Sequence, residues 1–413
     1  MRFQEIKARG NWREKAKELG YLSNVLDDPP YWIEALEEPF CAVFTETEVV
    51  ELLELATYEV NRLALEAVEE ICNGRNSDQL FDRLKTPVRA RAAIRASWRR
   101  GDPSLWGRLD FSYSNGKLKL LELNFDGAVS LYEASYFQLL WLEDLLEAGQ
   151  LPPASMQSNS IHEGLTRSFS QMVPERETVH FTSLGESSED DDTVRYLQSC
   201  ALLAGQRCKY LLVKDLGYDK SGGLIDLDNE PIKHLVKLYP WEALFRDDGK
   251  LAEKRGKSVL LPLVESGETK FFEPIWKSLL ANKGILSIMK ELSPTSPWLL
   301  ESAIEGTSEA TELQKLPHAR KPLFGMQGKN VSLVYPDQPE LSVVTPGFYG
   351  REGFLIQELH PLPVHNGYHV LLGSWLIGGK PAGIGIRADL SPVTTATHCL
   401  FVPHYVEPKP TET

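Results

Sequence analysis

Residues 107–124 read GRLDFSYSNGKLKLLELN: a strand, a turn and a second strand. Successive strand residues point to opposite faces. The even positions Arg108, Asp110, Ser112, Glu122 and Asn124 are polar, with Leu120 the exception. The odd positions Leu109, Phe111, Tyr113, Leu121 and Leu123 are apolar, with Lys119 the exception. One face therefore enters a core while the other presents two carboxylates, an amide and a guanidinium. Asp110, Glu122 and Asn124 are hard oxygen donors of the kind Mg²⁺ takes, with water and phosphate filling the remaining positions. Arg108 beside them suits charge on a transferring phosphoryl group. The competing reading is the solvated face of an edge hairpin, and spacing alone leaves both open.

The turn makes the metal reading testable. A two-residue Asn115-Gly116 turn pairs Ser114 with Lys117 and sets Asp110 and Glu122 on opposite faces. A three-residue loop pairs Asp110 with Glu122 and Arg108 with Asn124. A shared metal therefore requires the odd loop or a compensating bulge.

Outward from the hairpin, residues 1–104 read as mostly helical, with helical apolar spacing over 47–74. Residues 105–150 hold the hairpin and a following helix, and LPPASMQSNS (151–160) reads as a linker. Residues 160–262 alternate strand and helix, a small α/β unit on the substrate side. The acidic run Glu189–Asp192 falls at a helix start there, where carboxylates favour the N-terminal dipole, and is read as a cap and not a metal site. Residues 263–413 begin helical and become rich in short strands and Gly/Pro turns, and form the candidate nucleotide-binding region.

The chain has 413 residues, a formal net charge of −14 and 42% hydrophobic residues, which suits a multi-domain globular protein. The acidic balance argues against a nucleic-acid partner. Neither a signal peptide nor an 18-residue apolar span is found, so no membrane association is expected. Five scattered cysteines without CxxC spacing suit a reducing cytoplasmic setting and offer no zinc site. His365 and His369 have i, i+4 spacing, but Pro361, Pro363 and Asn366-Gly367 forbid a zinc-binding helix.

A second constellation lies in the last third. Lys321 precedes the Gly-bearing loop KPLFGMQGKNV (321–331), where Gly325 and Gly328 let backbone N–H groups close on an anion. Most such loops are plain hairpin turns. FLIQEL (354–359) is an apolar strand ending in Gln357 and Glu358, and GSWLIGGKPAGIGIRAD (373–389) delivers Arg387.

With both constellations in hand, the chain resembles the glutathionylspermidine synthetase family. The resemblance runs over nearly the whole length. It rests on RGNWREKAKELGYL…YWIEALEEPF, on the hairpin block through LLWLEDL, on DDDTVRYLQSCALLAG, KLYPWEAL, FFEPIWKSLLANKGIL and RKPLFGMQGKNV, and on GSWLIGGKPAGIGIRADLSPVTTATHCLFVPHYV. It implies an α+β or α/β protein with an ATP-grasp fold in permuted order, the metal hairpin preceding the lysines. A small pre-ATP-grasp-like unit accompanies it, with no amidase domain and hence no amide-hydrolase activity.

The implied activity is that of an ATP-dependent carboxylate–amine ligase working through an acyl phosphate, with ATP and Mg²⁺ as cofactors. A peptide-like acid such as glutathione and an amine such as a polyamine are the implied small-molecule partners. By position, Asp110, Glu122 and Asn124 resemble the family's Mg²⁺ ligands and Arg108 its transition-state arginine. Lys283 and Lys321 resemble the nucleotide-binding lysines, Arg387 an arginine near the phosphates, and Gln357-Glu358 the segment beside the adenine. The chain departs from the family where its phosphate loop reads close to G-R-E-G: Met326-Gln327 remove one cation and one carboxylate. Ala388 stands where an acidic residue usually follows the arginine. The alternative is a catalytically silent nucleotide-binding or regulatory relative. The presence of Arg108, Asp110, Glu122, Asn124 and Arg387 together argues for catalysis.

Overall fold

Asn115 and Gly116 both take positive φ, 52° and 71°, the left-handed pair that matches a two-residue turn to strand twist. Ser114 duly pairs with Lys117. The compensation is a bulge: Asp110 pairs with Glu122 but Phe111 with Leu120, so Leu121 is the extra residue. Side-chain parity flips there, which is why Leu118 and Leu120 are buried at even positions and Leu123 at an odd one. Arg108 pairs with Asn124, so the four polar residues share a face.

The computed structural model describes residues 1–21, 30–396 and 398–409. Leu22, at the end of one resemblance block, and Thr397, inside another, lie outside these.

Helices α1 (Leu55–Asn73) and α2 (Val88–Arg100) precede hairpin strands β1 (Trp106–Ser114) and β2 (Lys117–Asn124). Helix α3 (Ile161–Met172), strand β3 (Thr178–Ser183), helix α4 (Ser188–Leu203), and strands β4 (Arg207–Leu212) and β5 (His234–Lys237) follow. Helix α5 (Trp241–Arg255) and strand β6 (Lys270–Phe272) complete this unit, a four-stranded parallel sheet ordered β6-β5-β3-β4. The Ser187 hydroxyl accepts from Asp190 N at 3.3 Å, so the acidic run sits in a capped first turn of α4.

Helix α6 (Ile285–Leu292) leads into β7 (Ser302–Ile304), β8 (His318–Pro322), β9 (Ser332–Val334), β10 (Val343–Val344) and β11 (Phe354–Glu358). These form an antiparallel sheet ordered β7-β11-β8-β9-β10. The long strands β12 (Tyr368–Ile377) and β13 (Lys380–Asp389), with β14 (Leu400–Val402), return to the hairpin in the order β14-β13-β12-β1-β2. Elements far apart in sequence thus meet on one sheet face: Gly373 pairs with Asp110, and Leu371 with Arg387.

Apolar faces of the hairpin, α1, α2 and α6 share one core containing Leu109, Phe111, Leu120 and Leu123. A second core gathers Trp32, Phe137, Trp141 and Trp375. Four of the cysteines are buried, Cys208 is half-buried, and all five are free. His365 lies in a short strand and His369 in β12, not on a helix. No helix among the described residues is long and apolar enough to cross a membrane.

Candidate functional site

Asp110 is fully buried. It accepts from Arg108 Nε at 2.7 Å, Asn124 Nδ2 at 2.7 Å and Arg387 Nη2 at 2.6 Å. Two guanidiniums share this carboxylate, and Arg108 also donates to the Val129 carbonyl at 2.7 Å and lies over the Trp375 ring. Gly373 makes room for this, since a Cβ there would stand 2.8 Å from Arg108 Cδ and 2.8 Å from the Gly385 carbonyl oxygen.

Glu122, opposite Asp110 on the same rung, accepts from Asn124 Nδ2 at 3.0 Å and faces Lys283 Nζ at 3.3 Å. Lys283 also donates to the Gly325 carbonyl at 3.0 Å, joining the hairpin to the glycine loop. Lys321 donates to the carbonyl of bulged Leu121 at 3.0 Å and to Gln357 Oε1 at 2.7 Å. The bulge therefore restores the register and also supplies an acceptor for a buried ammonium.

Burial pushes the Glu122 carboxyl up, but Lys283, Lys321, the Asn124 amide and Arg387 outweigh it and hold it well below the usual carboxylate range. Burial pulls Lys321 down to about 8, against the attraction of Glu122 and with Lys283 adding repulsion. Arg387 goes above its ordinary value because Asp110 and Tyr31 overcome its desolvation. The result is a cluster of four cationic side chains around two carboxylates, an arrangement that suits a polyphosphate brought in with a divalent cation.

The donor set fits Mg²⁺: two carboxylates and an amide on adjacent rungs, with water-accessible Glu122 at the mouth. Asn124 bridges the carboxylates through its amide nitrogen, and rotation about the last side-chain bond presents the oxygen instead.

Gly325 and Gly328 lie in the loop after β8. Gly328 has φ 66°, and a Cβ there would stand 2.5 Å from the Thr394 carbonyl oxygen, so the loop rests backbone-first on the 391–395 turn. That turn is tied by Asp389, whose carboxylate accepts from Ser391 N and Thr395 N, both at 2.8 Å. Met326 is 45% exposed beside it. Ala388 is buried between Val370 and Leu400, on the strand side opposite Arg387. Gln357 is buried against Lys321, but Glu358 points the other way, is exposed, and accepts from Glu301 N at 3.3 Å. Glu358 is thus the one candidate whose side chain turns away from the cluster.

Four positioning residues escaped the sequence reading. Glu273 and Lys277 form a fully buried ion pair under the root of β1, where Glu273 accepts from the N–H groups of Leu105 and Trp106. Asp126 accepts from buried Lys237 at 2.6 Å and from Trp241 N at 2.6 Å, binding the hairpin exit to the start of α5. Their signal was an ionisable residue set inside an apolar run, as in FFEPIWK and NFDGAV.

Among known proteins, a Haemophilus influenzae protein provisionally named an acid–amine ligase is 31% identical over 88% of this chain and 89% of its own length. Trypanothione synthetase of Crithidia fasciculata is 28% identical over 77% of the chain and 50% of its own length. The bifunctional glutathionylspermidine synthetase/amidase of Escherichia coli is 27% identical over 84% and 56% respectively. The chain therefore spans about half the length of these last two. In fold, a glutathione synthetase-like effector from Globodera pallida superposes over 96% of both chains, with TM-score 0.51 at 12% identity. The model of the family described as glutathionylspermidine synthase preATP-grasp matches residues 3–407, and the chain belongs to that family.

Proposed function

We propose that this protein is an ATP-dependent acid–amine ligase that activates a carboxylate as an acyl phosphate on an ATP-grasp nucleotide site. The observation that carries this reading is the convergence of Asp110, Glu122 and Asn124 with Arg108, Arg387, Lys283 and Lys321 in one cluster. A carboxylate oxygen attacks the γ-phosphorus and ADP leaves. The amine nitrogen then attacks the carbonyl carbon, phosphate leaves, and the nitrogen gives up a proton. Phosphoryl transfer needs mainly positioning and charge neutralisation. Arg108 and Arg387 would stabilise the transferring group, and Lys283 and Lys321 the nucleotide phosphates. Gln357, hydrogen-bonded to Lys321, would lie toward the adenine. Mg²⁺ held by Asp110, Glu122 and Asn124 would supply Lewis-acid neutralisation of the phosphates. The relatives' names make glutathione and a polyamine the first acid and amine to try.

The test is ADP release by the purified chain with Mg²⁺, ATP and a panel of small acids and amines. Release that requires both an acid and an amine supports the ligase. ATP binding without release under every pairing favours the silent relative, a reading that exposed, uncharged Met326 and Gln327 also suit.

The loop itself gives a graded expectation. Each charge-assisted phosphate contact is worth roughly 1.5–3 kcal/mol. Met326→Arg with Gln327→Glu should therefore tighten Mg·ATP binding or raise kcat by about tenfold or more. Calorimetry and steady-state rates measure this, and no gain in either would remove the loop from phosphate binding.

A further inference from the structure

One side of the glycine loop is held by hydrogen bonds and the other by shape alone. Gln327, Gly328 and Asn330 take left-handed φ values of 55°, 66° and 58°, which Gln327 in particular holds only where its surroundings fix it. On the side of β10, the Thr345 hydroxyl donates to the Gly328 carbonyl and accepts from Val331 N at 2.9 Å. Asn330 N donates there to the Pro346 carbonyl at 3.2 Å. On the opposite side lies the 391–395 turn. A Cβ at Gly328 would stand 2.5 Å from the Thr394 carbonyl oxygen and 2.9 Å from Val393 Cγ1. No hydrogen bond between described residues crosses this contact. The turn is a seat, and its own shape is fixed from elsewhere.

Asp389 fixes it. The residue ends β13, two positions after Arg387, and is fully buried. Its carboxylate accepts from Ser391 N and Thr395 N, both at 2.8 Å, and from Thr395 Oγ1 at 3.0 Å. The Ser391 hydroxyl in turn accepts from Val393 N at 3.2 Å. Among the described residues no cationic side chain pairs with Asp389, and these donors hold the buried carboxylate. Each of them draws the chain back on itself at the end of β13 and leaves Thr394 under Gly328.

We propose that Asp389 is a positioning residue of the nucleotide site: by closing the 391–395 turn it seats the glycine loop and sets the affinity for Mg·ATP. The inference rests on the reading of that loop as a phosphate loop. The seat requires a carboxylate. Asparagine offers one acceptor oxygen and one amide NH₂, so either Ser391 N or Thr395 N would face a donor. The turn would open at that end, and the left-handed loop would lose the surface beneath it. Arg387, Lys283 and Lys321 keep their own partners, Asp110, Glu122 and the Leu121 carbonyl, so the loss falls on the loop.

Calorimetry of Mg·ATP on the full chain tests this as a double-mutant cycle. Asp389→Asn should weaken binding about tenfold. Gly328→Ala drives a Cβ into the Thr394 carbonyl from the other side and should weaken it by a similar factor. Both break one contact, so the double variant should bind about as weakly as the weaker single, not about a hundredfold below wild type. In acid- and amine-dependent ADP release the loss should appear as a raised KM for ATP with the KM for the acid unchanged. Ser391→Ala, which frees only Val393 N, is a milder second variant for the case that Asp389→Asn does not fold. It should cost about threefold in ATP affinity and leave the melting temperature within a few degrees. Factors that multiply in the cycle overturn the proposal, as does wild-type ATP affinity in both Asp389→Asn and Ser391→Ala. Trypsin separates this from a failure of the nucleotide reading. Cleavage after exposed Lys329, in the loop, is compared with cleavage after exposed Lys220, in the turn between the short strands Gly217–Tyr218 and Leu224–Ile225. Asp389→Asn should raise that ratio about fivefold or more. A raised ratio in a chain that binds no Mg·ATP supports the seat and overturns the phosphate reading of the loop, and an unchanged ratio overturns the seat itself.

Discussion

Glu122→Gln is expected to slow acid- and amine-dependent ADP release by about a hundredfold or more, the scale seen when a preorganised electrostatic contact is removed from a reacting phosphoryl or oxyanion site. Glu122 is the cleaner of the two carboxylates to test. It is half-buried and its carboxyl meets Lys283 and Asn124, with no part in either apolar core. Glutamine keeps the volume and one acceptor but removes the charge that offsets Lys283, Lys321 and Arg387. Lys321, already pulled down to about 8 by burial, loses the attraction that holds it up and should drop further. The lost oxygen ligand for Mg²⁺ and the lower Lys321 pKa both weaken binding of a metal-bound polyphosphate. Asp110→Asn should match this loss and add instability, because Asp110 is no exposed cleft residue: it is fully buried between two guanidiniums. Removing its charge leaves two buried cations facing each other, a situation that costs about 3–5 kcal/mol. ADP release and thermal melting on the two variants separate the roles. Near-normal turnover in Glu122→Gln would remove this carboxylate from the metal and phosphate assignment.

How much of this was legible in the residues depends on the range of the forces involved. The hairpin was readable because its information is local: strand alternation, an Asn-Gly turn and two carboxylates at set spacings. Even the bulge was foreshadowed, since Leu120 broke the even-polar pattern at the point where parity flips. The sequence could not choose between an odd loop and a bulge, because that choice is made by distant partners. Leu120 N donates to the Trp298 carbonyl at 2.8 Å, and the bulged Leu121 carbonyl takes the Lys321 ammonium. Convergence of Lys283, Lys321 and Arg387 on the hairpin came from the resemblance, since no local pattern brings residues so far apart in sequence to one carboxylate pair. The resemblance sets Gln357 and Glu358 together beside the adenine, yet neighbours in a strand face opposite sides, and only Gln357 reaches Lys321.

The same logic makes Lys277→Met the most destabilising single change expected outside the apolar cores. Lys277 and Glu273 are both wholly buried. The ammonium donates to Ser104 Oγ at 2.8 Å, to the Trp106 carbonyl at 2.5 Å and to Glu273 at 2.5 Å. Burial pulls Lys277 down and pushes Glu273 up, and each opposes the other's shift. Methionine fills much of the space but leaves the Glu273 carboxylate buried without its counter-charge, held by the Leu105 and Trp106 N–H groups and Ser104 alone. Breaking one side of such a pair costs about 3–5 kcal/mol, whereas neutralising both sides costs far less. The double variant Glu273→Gln/Lys277→Met keeps an acceptor for the Leu105 and Trp106 N–H groups and should recover most of the loss. The site should follow the same pattern. Those two N–H groups lie at the root of the strand that carries Arg108 and Asp110, so ADP release should fall in the single variant and return in the double. Denaturant melts and rates on the four members of the cycle measure both. A single variant within about 1 kcal/mol of wild type, or a double variant no better than the single, would mean that the pair neither holds the strand root nor positions the cleft above it.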